Sequence, residues 1–130
     1  MPDRPDGSLC RVRILLSPSE TKSIGGSGAP LDLTALSLPS LGDTRKMVAD
    51  SLVSLCTGDP EAARAALGLS ERLSGEVELN AQLWSSPTAP ALSRYTGVLY
   101  DALDQPSLSG AARSRAEARL WIGSALFGLV

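Results

Sequence analysis

The densest group of side chains able to bind a ligand occupies residues 17–22, which read Ser-Pro-Ser-Glu-Thr-Lys. This segment follows the apolar run 12–16, which predicts a strand buried on both faces and therefore central in its sheet. Ligands of open α/β sheets collect outside the carboxyl ends of the strands. Ser17, Thr21 and Lys22, in what we call the 17–22 turn, are therefore candidate residues for holding a small anion such as a phosphate or a carboxylate.

A second segment would complete this pocket. Residues 94–97 predict a short strand that leads into a helical turn. If this strand neighbours the first, Thr96, Gly97 and Tyr100 line the same crevice as the 17–22 turn. The alternative is a capped turn with an exposed lysine and a tyrosine in the core, and we favour it over the pocket because the sequence does not show pocket geometry.

The 17–22 turn also fits a catalytic spacing, because Ser19 and Lys22 match the S-x-x-K pattern in which a lysine acts as base for a serine. That chemistry places the serine at the start of a buried helix, whereas Gly25 and Gly26 would interrupt a helix here. No S-D-N or K-T-G motif follows. We therefore assign no catalytic residue.

Metal and thiol chemistry are not indicated. The sequence has no histidine, which removes histidine bases and histidine metal ligands. Its two cysteines, Cys10 and Cys56, lack the paired spacing of a zinc site, so we expect no metal and no cofactor. Cys56 lies on the apolar stripe of a predicted helix, which favours an inert core thiol over a peroxide sensor.

Residues 62–83 predict two helices joined by a tight turn at residues 67–70. Such a turn can hold a DNA phosphate, because a glycine lets the backbone approach and free N–H groups at the next helix face an anion. The candidate nucleic-acid-binding residues at this turn are Arg64, Gly68, Ser70 and Arg72. The alternative is an ordinary helical hairpin with a Schellman stop and a serine N-cap, since three glutamates follow the turn.

Composition limits the class of protein. The chain of 130 residues and 13.5 kDa has room for one domain or part of one, and 43% hydrophobic with 20% charged residues is globular. A net charge of −2 excludes a wholly basic nucleic-acid binder but allows a local basic face. The chain lacks an apolar run of membrane-spanning length and a secretory leader, so we predict a cytoplasmic protein with no membrane partner.

The predicted fold class is α+β, a mixed sheet with flanking helices that include an αα hairpin at residues 62–83. Helices are predicted at residues 43–57, 60–67, 98–103 and 111–118, and a further one begins at residue 70 and contains Gly75. A further strand is predicted at residues 120–122. Residues 1–10 are predicted to be a disordered leader. Too few strands and an apolar end at 126–130 indicate that residues 11–130 are the N-terminal part of a larger single domain, a truncated fragment.

Three segments occur in an order that resembles the YaaA peroxide stress protein family. They are ILLSPSETK at residues 14–22, YTGVLY at 95–100 and SALFG at 124–128. Members of this family open with a strand leading into a Ser-Pro turn, and carry a Gly-x-x-Tyr element and a Ser-Gly/Ala-Leu-Tyr/Phe-Gly turn. The resemblance spans residues 11–130 and covers the N-terminal half of a typical member.

The resemblance implies a cytoplasmic role in limiting oxidative damage under hydrogen peroxide, and a helix-hairpin-helix element that touches double-stranded DNA. We therefore expect a binding protein rather than an enzyme. The alternative function is an enzyme that acts on a small anionic or nucleotide-like substrate at the 17–22 turn.

Overall fold

The computed structural model describes residues 12–130, so Cys10 and the predicted leader at residues 1–10 lie outside the described residues. The α-helices of the described chain are α1 (Gly42–Thr57), α2 (Pro60–Ala66), α3 (Gly75–Ala81), α4 (Ala91–Arg94), α5 (Val98–Leu103) and α6 (Gly110–Arg119). The strands are β1 (Ile14–Leu16), β2 (Gly28–Pro30), β3 (Pro87–Thr88), β4 (Leu120–Ser124) and β5 (Gly128–Leu129). This mixture confirms the α+β class. No helix within residues 12–130 has the length and apolarity needed to cross a bilayer.

Helices α1 and α2 follow the predicted boundaries closely because their end signals are local. The Asp59 carboxylate accepts a hydrogen bond from the Glu61 N–H at 3.1 Å, and a proline occupies the first helical position. α2 ends where Gly68 adopts a left-handed φ of 65°. The Leu69 and Gly68 N–H groups donate to the carbonyls of Arg64 and Ala65 at 3.0 and 3.2 Å, which is the hydrogen-bond pattern of a Schellman motif.

The third predicted helix is divided in the structure. A 3₁₀ turn at Glu71–Leu73 comes first, and α3 begins at Gly75, which was predicted to lie inside one continuous helix. Serine and glycine at residues 74 and 75 both disfavour a helix interior, which explains the break. The prediction of a helix-hairpin-helix unit is not confirmed, and the structure has two short helices, α2 and α3, with a 3₁₀ turn between them.

A small hydrophobic core lies between α1, α2 and α3. Its buried members are Cys56, Ala63 and Val77, with leucines of α1 and of the turn after α2 packed around them. The prediction that Cys56 is a core thiol is confirmed, since it is 5% exposed and free. The apolar stripe predicted for α1, from Met47 and Val48 through Leu52 and Leu55 to Cys56, was wrong at its start, because Met47 is 64% exposed.

The main sheet has the strand order β1-β4-β5. β1 pairs in parallel with β4, with Leu16 opposite Ile122, and β4 pairs antiparallel with β5. The prediction that β1 is a central, doubly buried strand was wrong. Within the described chain β1 is an edge strand with Ile14 46% and Leu15 66% exposed, whereas β4 is central and buries Ile122.

A second sheet pairs β2 with β3 in antiparallel orientation. A side chain at Gly26 would collide with the Thr88 carbonyl, so glycine permits this close approach. The predicted strand at residues 94–97 was also wrong. Arg94 ends the helical turn α4, and Tyr95 forms only an isolated antiparallel bridge with Lys22.

Candidate functional site

The structure brings the 17–22 turn against residues 94–97. The Thr96 N–H donates to the Thr21 carbonyl at 3.1 Å, and Lys22 bridges Tyr95. The isolated bridge therefore brings residues 94–97 beside the 17–22 turn, a role predicted for a paired strand. Two segments 70 or more residues apart in sequence lie side by side.

Arg94 and Ser23 fix this junction, and sequence reasoning missed both. The Arg94 guanidinium donates to the Ser23 carbonyl at 2.6 Å, and the Ser23 N–H donates back to the Arg94 carbonyl at 2.8 Å. The Ser23 hydroxyl adds a bond to the Ser93 carbonyl at 3.0 Å. No spacing rule links a side chain to a backbone carbonyl 71 positions away, although the polar Ser23 after Lys22 was available as a signal.

Gly97 lies directly against the hydroxyl groups of the 17–22 turn. Its φ of 104° suits glycine, and a Cβ placed there would lie 3.2 Å from Ser19 Oγ and 3.4 Å from Thr21 Oγ1. The two hydroxyl oxygens are themselves 3.2 Å apart. A backbone without a side chain thus leaves a polar surface that a ligand can approach.

Tyr100 bonds to the residue that follows β1. It is 6% exposed, its hydroxyl donates to the Ser17 carbonyl at 2.6 Å, and its ring stacks on Tyr95 with centroids 5.5 Å apart. Burial raises the pKa of the Tyr100 phenol, and the neighbouring Tyr95 adds to that rise. Tyr100 therefore supports the site through packing and one hydrogen bond, with its hydroxyl already engaged.

Lys22 provides the positive charge of this site. Its side chain is exposed, donates to the Glu20 carbonyl at 3.3 Å and lies 5.7 Å from the centre of the Tyr95 ring. The ammonium group keeps two further N–H donors for a ligand. The structure thus gathers all six predicted pocket residues, with Ser17 and Tyr100 in a supporting position and Thr21 and Lys22 at the surface.

Of the four residues predicted to bind at the α2–α3 turn, one is engaged within the hairpin and three are exposed. Arg64 donates to the Glu61 carboxylate at 2.9 Å and to the Leu69 carbonyl at 3.3 Å, so its charge is used within the hairpin. Gly68, Ser70 and Arg72 are exposed. The Ser70 hydroxyl makes no cap hydrogen bond, which departs from the serine N-cap expected for an ordinary hairpin.

These features define an α+β protein whose first strand ends in a turn rich in hydroxyl groups. The chain matches the family model described as "Peroxide stress protein YaaA" over residues 12–130. It is 52% identical over 117 residues to UPF0246 protein SCO2297 of Streptomyces coelicolor and to UPF0246 protein CE1889 of Corynebacterium efficiens. The alignments cover 90% of this chain and 45% of each relative.

The chain belongs to the peroxide stress protein YaaA family, which confirms the resemblance drawn from the three sequence motifs. It spans about half the length of the curated relatives that it matches.

Proposed function

We propose that this protein acts in the cytoplasmic response to hydrogen peroxide by binding double-stranded DNA through the turn between α2 and α3. Membership of the YaaA family supports the stress-response part of this proposal. The observation that carries the DNA part is the geometry of the turn at Gly68. Its φ of 65° turns the chain sharply, and no atom beyond Gly68 and its chain neighbours lies within 4 Å of the position that a Cβ would occupy.

Open space beside this backbone permits the close approach of a phosphate. Within the described chain the N–H groups of Ser70 and Glu71 donate to no acceptor, so they are available to an anion. Arg72 is exposed and pairs with no described residue, which leaves its charge available as well.

The charge balance near the turn predicts weak, sequence-independent binding. Glu61 neutralises Arg64, and Glu71 lies beside Arg72. Backbone contacts to phosphate carry no sequence information, and each phosphate neutralised by a cation contributes a salt-dependent term. We expect affinity to fall steeply as salt rises, with little difference between DNA sequences.

The test is a titration of a labelled duplex with the intact protein at several salt concentrations. Arg72→Ala should lower the slope of log affinity against log salt by about 0.9, because one phosphate contact is lost. Arg115→Ala is the matched control, since it removes an exposed arginine from α6 and changes the net charge equally. Equal effects of the two substitutions would show that the turn between α2 and α3 does not contact the DNA.

The second candidate function is an enzyme that acts on a small anionic or nucleotide-like substrate at the 17–22 turn. The contact of Gly97 with the hydroxyls of Ser19 and Thr21, beside Lys22, supports it. Incubation of the intact protein with nucleoside phosphates, followed by separation of products, tests for turnover. Turnover that persists unchanged in Lys22→Met would exclude this turn as the site.

A further inference from the structure

Arg45 is a buried cation whose charge no described residue balances. It lies in the first turns of α1 and is 3% exposed. Its two terminal nitrogens donate to the carbonyls of Leu38 at 3.1 Å and Phe127 at 2.7 Å, while its Nε is buried without a partner. Within residues 12–130 no carboxylate lies within 4.0 Å of it. Only two of the five N–H donors of this guanidinium are therefore used.

Two residues next to the Arg45 guanidinium have positive φ angles. Leu38, whose carbonyl accepts one bond, has a φ of 56°, which is uncommon for a residue other than glycine. Gly128 has a φ of 77°, and a Cβ there would lie 2.8 Å from Arg45 Nη2. Strained backbone persists where the surrounding structure requires it, and here it admits a charged group into the interior.

A cavity of about 180 Å³ opens beside Arg45, between the start of α1 and residues 124–128. Besides Arg45 it is lined by Leu41, Thr44, Val48, Ala125, Leu126 and Gly128. Apolar walls strengthen the attraction between a cation and an anion, and Thr44 adds a hydroxyl donor. A planar guanidinium with unused donors matches the two oxygens of a carboxylate or a phosphate.

We propose that the cavity between the start of α1 and residues 124–128 is a binding site for a small oxyanion, a carboxylate or a phosphate, held by Arg45. This site is separate from the DNA-binding turn and from the 17–22 turn. Asp43, also in the first turn of α1, is exposed and makes no ion pair with Arg45. The anion supplies the charge that balances the buried guanidinium.

The test measures thermal unfolding of the intact protein with inorganic phosphate or acetate, at ionic strength held constant with sodium chloride. A ligand that binds only the folded state raises the midpoint temperature in a saturable way. We expect this rise with at least one of the two anions, and the responsive anion shows whether the site takes phosphate or carboxylate. In Arg45→Met the apparent affinity should fall by about tenfold or more, which corresponds to loss of a charge-assisted contact.

Two further variants keep the test decisive. Arg113→Met is the matched control, because Arg113 also has a buried Nε without a partner but lies on α6, and it should keep the full response. Ala125→Trp fills the cavity from an exposed position and leaves Arg45 in place, so it should abolish the response even if Arg45→Met does not fold.

Two results would overturn the proposal. One is the absence of a saturable rise with either anion, which would mean that the intact protein balances Arg45 with a carboxylate of its own. The other is a rise that disappears in Lys22→Met and survives in Ala125→Trp, which would place the anion at the 17–22 turn.

Discussion

Replacing Tyr100 with phenylalanine removes one hydroxyl group and leaves the stacked ring in place. The lost bond is the one donated to the Ser17 carbonyl at 2.6 Å, at the junction of β1 and the 17–22 turn. A neutral hydrogen bond contributes about 0.5–1.5 kcal/mol to stability. The Ser17 residue is exposed, so water can reach its carbonyl once the hydroxyl is gone. We therefore expect Tyr100→Phe to lower the free energy of unfolding by about 1 kcal/mol at pH 7.

The same hydroxyl makes this difference depend on pH. Burial, with Tyr95 as a smaller contribution, raises the pKa of Tyr100 above its ordinary value of 10.0 in the folded state. The stabilisation is thus complete below pH 10, where the unfolded phenol is still protonated. Above pH 10 the unfolded chain loses this proton first, so stability falls until the folded phenol also ionises. Phenylalanine has no such proton, and the gap between wild type and Tyr100→Phe should narrow.

Urea unfolding of both proteins between pH 7 and 11 measures this gap directly. Tyr95→Phe is the matched control, because it removes a phenol from the same stack whose hydroxyl bonds to no described residue. It should change stability at pH 7 by less than about 0.5 kcal/mol. A gap between wild type and Tyr100→Phe that is absent at pH 7, or that widens above pH 10, would refute the role given to this bond.

Two other substitutions test the site and the core. Gly97→Ala should destabilise the protein by about 1–3 kcal/mol in urea unfolding, because φ is 104° and Ser19 Oγ lies 3.2 Å from the new Cβ. Gly110→Ala, with open space and ordinary φ, should stay within about 0.5 kcal/mol, and equal costs would contradict the argument. Cys56→Ser should cost about 1–3 kcal/mol by burying a hydroxyl. Burial raises the pKa of the Cys56 thiol, so it should react slowly with a disulfide reagent at pH 8, and rapid reaction in the folded protein would show that it is accessible.

The sequence predicts those parts of the fold that local signals determine. Asp59 and Pro60 mark the start of α2, and Gly68 marks its end, because capping involves residues within one turn of each other. The parallel pairing of β1 with β4 joins residues more than 100 positions apart, and no local pattern contains that information. An apolar run shows that a strand favours burial, but it does not show how many neighbouring strands will pair with it.

In the candidate site, too, one part could be predicted from local sequence and another part depends on the fold. A serine-proline pair at the end of an apolar run located the 17–22 turn, since strand ends are where ligands collect. Arg45 was missed because its sequence neighbours are those of any helix start, and only the fold brings Phe127 to its side chain. Arg94 was placed in a predicted strand, and its contact with Ser23 depends on the bridge between Lys22 and Tyr95.

The three sequence motifs of the family meet at one end of the main sheet. β1 and β4 run in parallel with Leu16 opposite Ile122, so the 17–22 turn and residues 124–128 leave the sheet at the same end and nearly level. Tyr100 reaches this end through its bond to the Ser17 carbonyl, and Arg45 reaches it through the Phe127 carbonyl. Carboxyl ends of parallel strands are the position where open sheets bind ligands. The three motifs therefore lie at one end of the main sheet, and the two separate anion sites that we propose lie at that end as well.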